Sequence, residues 1–203
     1  SAADITVTGN AASTAISVTG SASATNTMTL ATGAIGGIAL SGTVKATTVD
    51  LSAGTGGIAQ SAGSITAATL QSSGGSQGAV VLDQAANAIA TLGSFAVTGA
   101  GLLLRDGIAL DITGTVSASS ITARDSAASL IVSGSLSTAG AVLLAATDKA
   151  GGIVLSGSVN AGVLDLSAGT GGIAQTAGSL TAGTLQSTSG STGVVVLGEI
   201  ANS

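Results

Sequence analysis

The chain contains no cysteine, proline, histidine, tryptophan or tyrosine, and Phe95 is its only aromatic residue. Without cysteine there is no disulfide and no thiolate metal site, a composition that is compatible with secretion without requiring it. Without histidine and cysteine the commonest base and the strongest nucleophile of enzyme chemistry are missing. Charge is also scarce: 6% of residues are charged, against about 25% in ordinary globular domains. The 4 basic residues and net charge of −5 leave no basic patch for nucleic acid. Three of the four bases adjoin an acid, as Arg105-Asp106, Arg124-Asp125 and Asp148-Lys149. Low charge suits a membrane protein, but no apolar run approaches the roughly 20 residues of a membrane helix. The longest candidates, such as Ala139–Ala146, are short and contain glycine. The first residues hold no basic segment followed by an apolar one. The expectation is that a leader was removed or that the sequence is an internal piece.

What is present is a repeat. Residues 36–88 and 151–203 share 36 of 53 positions at a constant offset of 115. The likeness continues upstream with small gaps: 20–31 matches 134–145, and 4–13 resembles 120–129. The expected organisation is one continuous domain over 1–203, with copies at about 1–115 and 116–203 and no linker. A shorter period lies inside. GGIAL at 36 is followed by GGIAQ at 56 and GAVVL at 78, and GGIVL at 151 by GGIAQ at 171 and GVVVL at 193, a spacing of 20 to 22 residues. Apolar residues alternate with small or polar ones in Ile38, Leu40; Val49, Leu51, Ala53; Ile108, Leu110, Ile112; Val142, Leu144, Ala146; and Leu164, Leu166, Ala168. This is the period of strands with one buried face. Gly, Ser, Thr, Asn and Asp punctuate them as tight corners require. No helical spacing is sustained, and frequent Gly, Thr and Val disfavour helix.

Short strands on a rung of about 20–22 residues, nested in a 115-residue repeat, predict an all-β, right-handed parallel β-helix. Each turn would carry two or three strands, stacked about 4.8 Å apart, in some ten turns. The rival is an antiparallel sandwich or barrel. It wants larger core residues and hairpin turns such as Asn-Gly, which are missing.

The segments 56–73, GGIAQSAGSITAATLQSS, and 86–118, ANAIATLGSFAVTGAGLLLRDGIALDITGTVSA, resemble the repeat region of filamentous-haemagglutinin-like exoproteins. These are large β-helical products of two-partner secretion in Gram-negative bacteria, and autotransporter passengers share similar repeats. The resemblance covers nearly the whole chain but not the family's amino-terminal secretion domain, whose Asn-Pro-rich motifs have no match here. It implies a secreted or cell-surface shaft that displays other domains, such as an adhesive tip, or that builds an extracellular fibre.

Asp50 and Asp165 are repeat equivalents between apolar neighbours, so alternation points them outward as solvated residues. Arg105, Asp106 and Asp111 are close in sequence, but Arg105 and Asp106 should point to opposite sides of a strand. The β-helical lyases and glycosidases need clustered acids, or bases acting with a metal. GTGGIAQ at 54–60 and 169–175 has the glycines of calcium-binding repeats but no Asp, so these glycines are expected to be corners. Gln60, Gln175, Asn87 and Asn202 are expected to hydrogen-bond along the coil. Thr6/Thr8 and Thr27/Thr29 are Thr-x-Thr pairs not repeated at the rung period, which argues against ice binding. No catalytic, cofactor-binding or metal residue is assigned, and no cofactor, nucleic-acid partner or membrane span is expected. The expected function is a structural, non-enzymatic shaft. The alternatives are a β-helix that binds carbohydrate or a host surface directly, which the lack of aromatics disfavours, and, less favoured, a polysaccharide-degrading enzyme. The chain stops at Ala201-Asn202-Ser203, where the first copy runs on past Ala88. Uncapped end turns are adhesive edges, so head-to-tail self-association or continuation in a longer chain is expected.

Overall fold

The computed structural model describes residues 2–10, 14–198 and 202–203. It is an all-β solenoid of about 9 turns, with about 21 residues per turn and no helix among the described residues. Every strand pairing among the described residues is parallel, which removes the sandwich. About nine turns at roughly 4.8 Å each make a stack on the order of 43 Å, slightly shorter than ten turns would be.

Two long columns of inward side chains form the core. One wall stacks Ile16, Ile38, Ile58, Val80, Leu102, Ile121, Val142, Leu164 and Leu185 in register. The other stacks Ile5, Met28, Val49, Leu70, Leu92, Ile112, Val132, Leu155 and Gln175. Each apolar residue lies on its own kind one turn away. The hydrophobic gain therefore depends on a neighbour roughly 21 residues off in sequence. Phe95 is fully buried where the third side of the turn, Phe95–Ala96, pairs with Thr115–Ser117.

The columns reveal the relation between the two repeat copies. The first wall passes from Ile38 in six steps to Leu164, which is the repeat equivalent of Val49. Leu155, the equivalent of Leu40, stands instead in the column of Val49. At about 21 residues per turn, the 115-residue offset is roughly five and a half turns. The second copy is thus rotated by half a turn, and equivalent strands lie on opposite walls. The strands continue through positions 115–116: Thr115–Ser117 pairs with both neighbouring turns.

Most alternating apolar positions are buried as the pattern requires. Ile108 is the exception, since it precedes the strand Leu110–Ile112 and is 41% exposed at a corner. Glycine is demanded at corners where φ is positive. Gly57 and its equivalent Gly172 have φ of 68° and 71°. A Cβ there would meet the carbonyl oxygen of Ala79 or Val194 on the next turn. The glycines of GTGGIAQ are therefore turn-forming, with the Gly57 N–H closing back on Gly54 O at 3.0 Å.

Candidate functional site

The carboxylates and amides buried in this narrow coil are the places where chemistry other than packing is concentrated. They fall into three sets.

The first set is the pair Asp50 and Asp165. Each follows an inward residue and sits on the outer side of its strand, as alternation requires. Neither is solvated: both are buried, which corrects the expectation of surface residues. The cause is the next turn, whose corner folds over the carboxylate. Asp50 accepts Gln71 Nε2 at 3.1 Å and Ser73 N at 3.0 Å. Asp165 accepts Gln186 Nε2 at 2.9 Å, Thr188 N at 3.0 Å and the Thr188 hydroxyl. Burial alone would raise the Asp165 pKa, but the hydrogen bonds from Thr188, Gln186 and Ser167 outweigh it and hold the group below the ordinary carboxylate value. Asp4 does the same one-turn reach, accepting Thr27 N at 2.9 Å.

The second set is an amide clasp. Gln60 and Asn87 bond each other reciprocally, Nε2 to Oδ1 at 2.8 Å and Nδ2 to Oε1 at 3.0 Å. Asn87 Oδ1 also accepts Ile65 N at 2.9 Å, and its Nδ2 donates to the carbonyls of Leu82 and Arg105. Gln175 and Asn202 repeat the reciprocal pair at 2.8 and 2.7 Å, with Leu180 N on Asn202 Oδ1 at 2.9 Å. The expected bonding along the coil is present, and it satisfies amides that would otherwise be buried without partners.

The third set is Asp106 and Asp125. Arg105 and Asp106 do point to opposite sides, and it is the acid that points in. Asp106 and Asp125 pair in register on adjacent turns and are both fully buried. Asp106 accepts Ile89 N and Ile108 N at 3.0 and 3.2 Å. Asp125 Oδ1 accepts Ala127 N and Ala128 N at 2.9 and 2.8 Å, while its Oδ2 has no partner. Sequence reasoning noted both Arg-Asp dipeptides but missed that they stack. The signal was their separation of about one turn. Asp111 lies apart on the outside, accepting the Ser133 hydroxyl at 2.8 Å.

The threonines also differ from expectation. Thr6 stacks on Thr29, and Thr27, Thr48, Thr69 and Thr91 form one column at the rung period. The adjacent outer column runs Thr29, Asp50, Gln71, so no second threonine row accompanies it. A surface groove lined by Thr25, Lys45, Thr47 and Thr66 carries one cation and no carboxylate. No cluster of three or more potential metal ligands occurs among the described residues, and among them no helix is long and apolar enough to cross a membrane.

Comparison with family models, with curated proteins and with solved structures finds no match.

Proposed function

We propose that this chain is a structural, non-enzymatic shaft segment of a large secreted or cell-surface bacterial protein of the filamentous-haemagglutinin-like kind. The supporting observation is how its acids are used. Six aspartates, Asp4, Asp50, Asp106, Asp125, Asp148 and Asp165, accept backbone N–H groups. A carboxylate held this way braces the corner of a turn. The repeat residues at 56–73 and 86–118 support the family, and the stacking of about 9 turns of about 21 residues supports a spacer role. The shaft spaces an adhesive tip or builds an extracellular filament.

Such a shaft works by stacking. At the carboxy-terminal end the surface formed by Leu185 and Val195 is more than half exposed. In the first copy the equivalent surface, Leu70 and Val80, is covered by the turn that carries Leu92 and Leu102. We propose that a turn of the same kind covers it in native material, supplied by the same chain or by a second copy stacked head to tail. Electron microscopy of the native material is the test. Rods or filaments support the shaft. Compact particles, or glycan cleavage abolished by Asp106→Asn or Asp165→Asn, overturn it. End-to-end association is read separately by sedimentation, where a monomer at high concentration counts against it.

A further inference from the structure

Asp106 and Asp125 stand where a β-solenoid ordinarily places apolar residues. The same inward positions on their own strands hold Leu102 and Leu104, and Ile121 and Ala123. Register partners on adjacent parallel strands are about 4.8 Å apart, and both carboxyl groups are sealed from solvent. Two like charges so placed resist joint ionisation. The charged groups around them do not relieve this. Arg105 and Arg124 lie on the same strands but face outward. Asp83, exposed, follows the strand on the turn below. On the turn above, Asp125 meets Ala146, with Asp148 and Lys149 beyond it at the corner. The strands after the two corners begin with Leu110 and Leu130, and Asp111 faces out.

The hydrogen bonds locate the missing partner. Both oxygens of Asp106 accept N–H donors, as does Asp125 Oδ1, and Asp125 Oδ2 alone is orphaned. We propose that the Asp106–Asp125 pair holds one proton between its two carboxyls and acts as a pH-sensitive clasp between two adjacent turns. With that proton the sealed pair bears one charge instead of two. Burial, joined by the charge of Asp125, pushes the Asp106 pKa up to about 6 against the N–H bonds from Ile89 and Ile108.

The sign follows from linkage. Folded Asp106 titrates above the ordinary value of 3.8. Its contribution to stability is therefore full below about pH 4 and is lost as pH rises through about 6. The clasp is closed in mildly acidic surroundings and strained in neutral ones.

Asp125→Asn mimics the protonated form. Its Oδ1 can still accept Ala127 N and Ala128 N, and its amide removes the charge from the orphaned position. The denaturation midpoint of the wild type should fall as pH rises through about 6, and Asp125→Asn, with one buried charge where the wild type has two, should exceed the wild type by more at pH 7.5 than at pH 5. A variant less stable than the wild type at pH 7.5, or a gap that does not grow with pH, overturns the proposal. Carbon-13 NMR of the wild-type Asp carboxyls decides independently of any variant. One resonance of the pair should titrate near pH 6, and two carboxylates ionised throughout pH 5 to 8 would refute the shared proton.

Discussion

Leu70 and Leu185 occupy the same position of the repeat, in the same local sequence Thr-Leu-Gln-Ser. Leu70 is fully buried and Leu185 is 53% exposed. Val80 and Val195 differ in the same way. The backbone is alike in the two copies: positive φ recurs at Gly57 and Gly172, Gly63 and Gly178, Gly75 and Gly190. Corner shape is thus a local property, carried wherever the glycines go, whereas burial comes from the next turn. In the first copy that turn supplies Leu92 above Leu70 and Leu102 above Val80.

The two copies should therefore respond unequally to equivalent substitutions. The largest effect is expected for Ile58→Asp, which puts an unpaired charge in the middle of a covered wall. A loss of about 3–5 kcal/mol, or outright failure to fold, should appear in denaturant unfolding. Ile173→Asp should also be severe but smaller, because only the short strand Val195–Val196 lies over it. Equal losses would break the comparison.

Leu70→Ala should cost about 2–5 kcal/mol, the range for a large-to-small change in a close-packed core. Leu185→Ala should stay within about 0.5 kcal/mol, as surface changes do. Thermal or chemical unfolding of the two single variants decides this. A covering turn or a stacked second copy would raise the Leu185→Ala cost toward that of Leu70→Ala, so the experiment also reports end-to-end association.

Asn87→Ala should cost about 1–3 kcal/mol for each buried group it orphans, among them the Gln60 amide and Ile65 N. Asn202→Ala should cost less, since its surroundings are only partly buried. Hydrogen exchange at the Ile65 and Leu180 amides would resolve the two sites within one molecule. Faster exchange at Leu180 in the wild type is the expected result.

A modest effect is a pH dependence at Asp165. Its folded pKa lies below the ordinary 3.8, so its contribution is present above about pH 4 and is lost as pH falls through the folded value. Asp165→Asn should be less stable than the wild type near neutrality, by about 1 kcal/mol, and the gap should close in strong acid. This trend is opposite to that expected for Asp106. A gap that widened on acidification would contradict the assigned hydrogen bonds.

Much of this was legible in one dimension. The period-2 alternation at Val49, Leu51 and Ala53 named buried residues correctly because a strand turns every second side chain to the same side. It failed at Ile108, where a corner breaks the alternation, and at Asp50 and Asp165, where the covering groups come from Gln71, Ser73, Gln186 and Thr188 one turn on. The Gln and Asn roles were foreseeable in kind, because buried amides need partners, but not in pairing. Gln60 and Asn87 are 27 residues apart.

The sequence by itself determined that the chain is a parallel stack: its rung length, its strands, and glycine at corners such as Gly57. These depend on local backbone preference and on a period that counts residues. The tertiary structure alone decided which residues face one another. Equivalent strands fall on opposite walls because 115 residues make about five and a half turns of about 21. Two acids from separate Arg-Asp dipeptides meet in the core because the register aligns Asp106 with Asp125. Such pairings depend on how corners of slightly unequal length add up around the coil, a quantity set by packing between turns and not by any one segment.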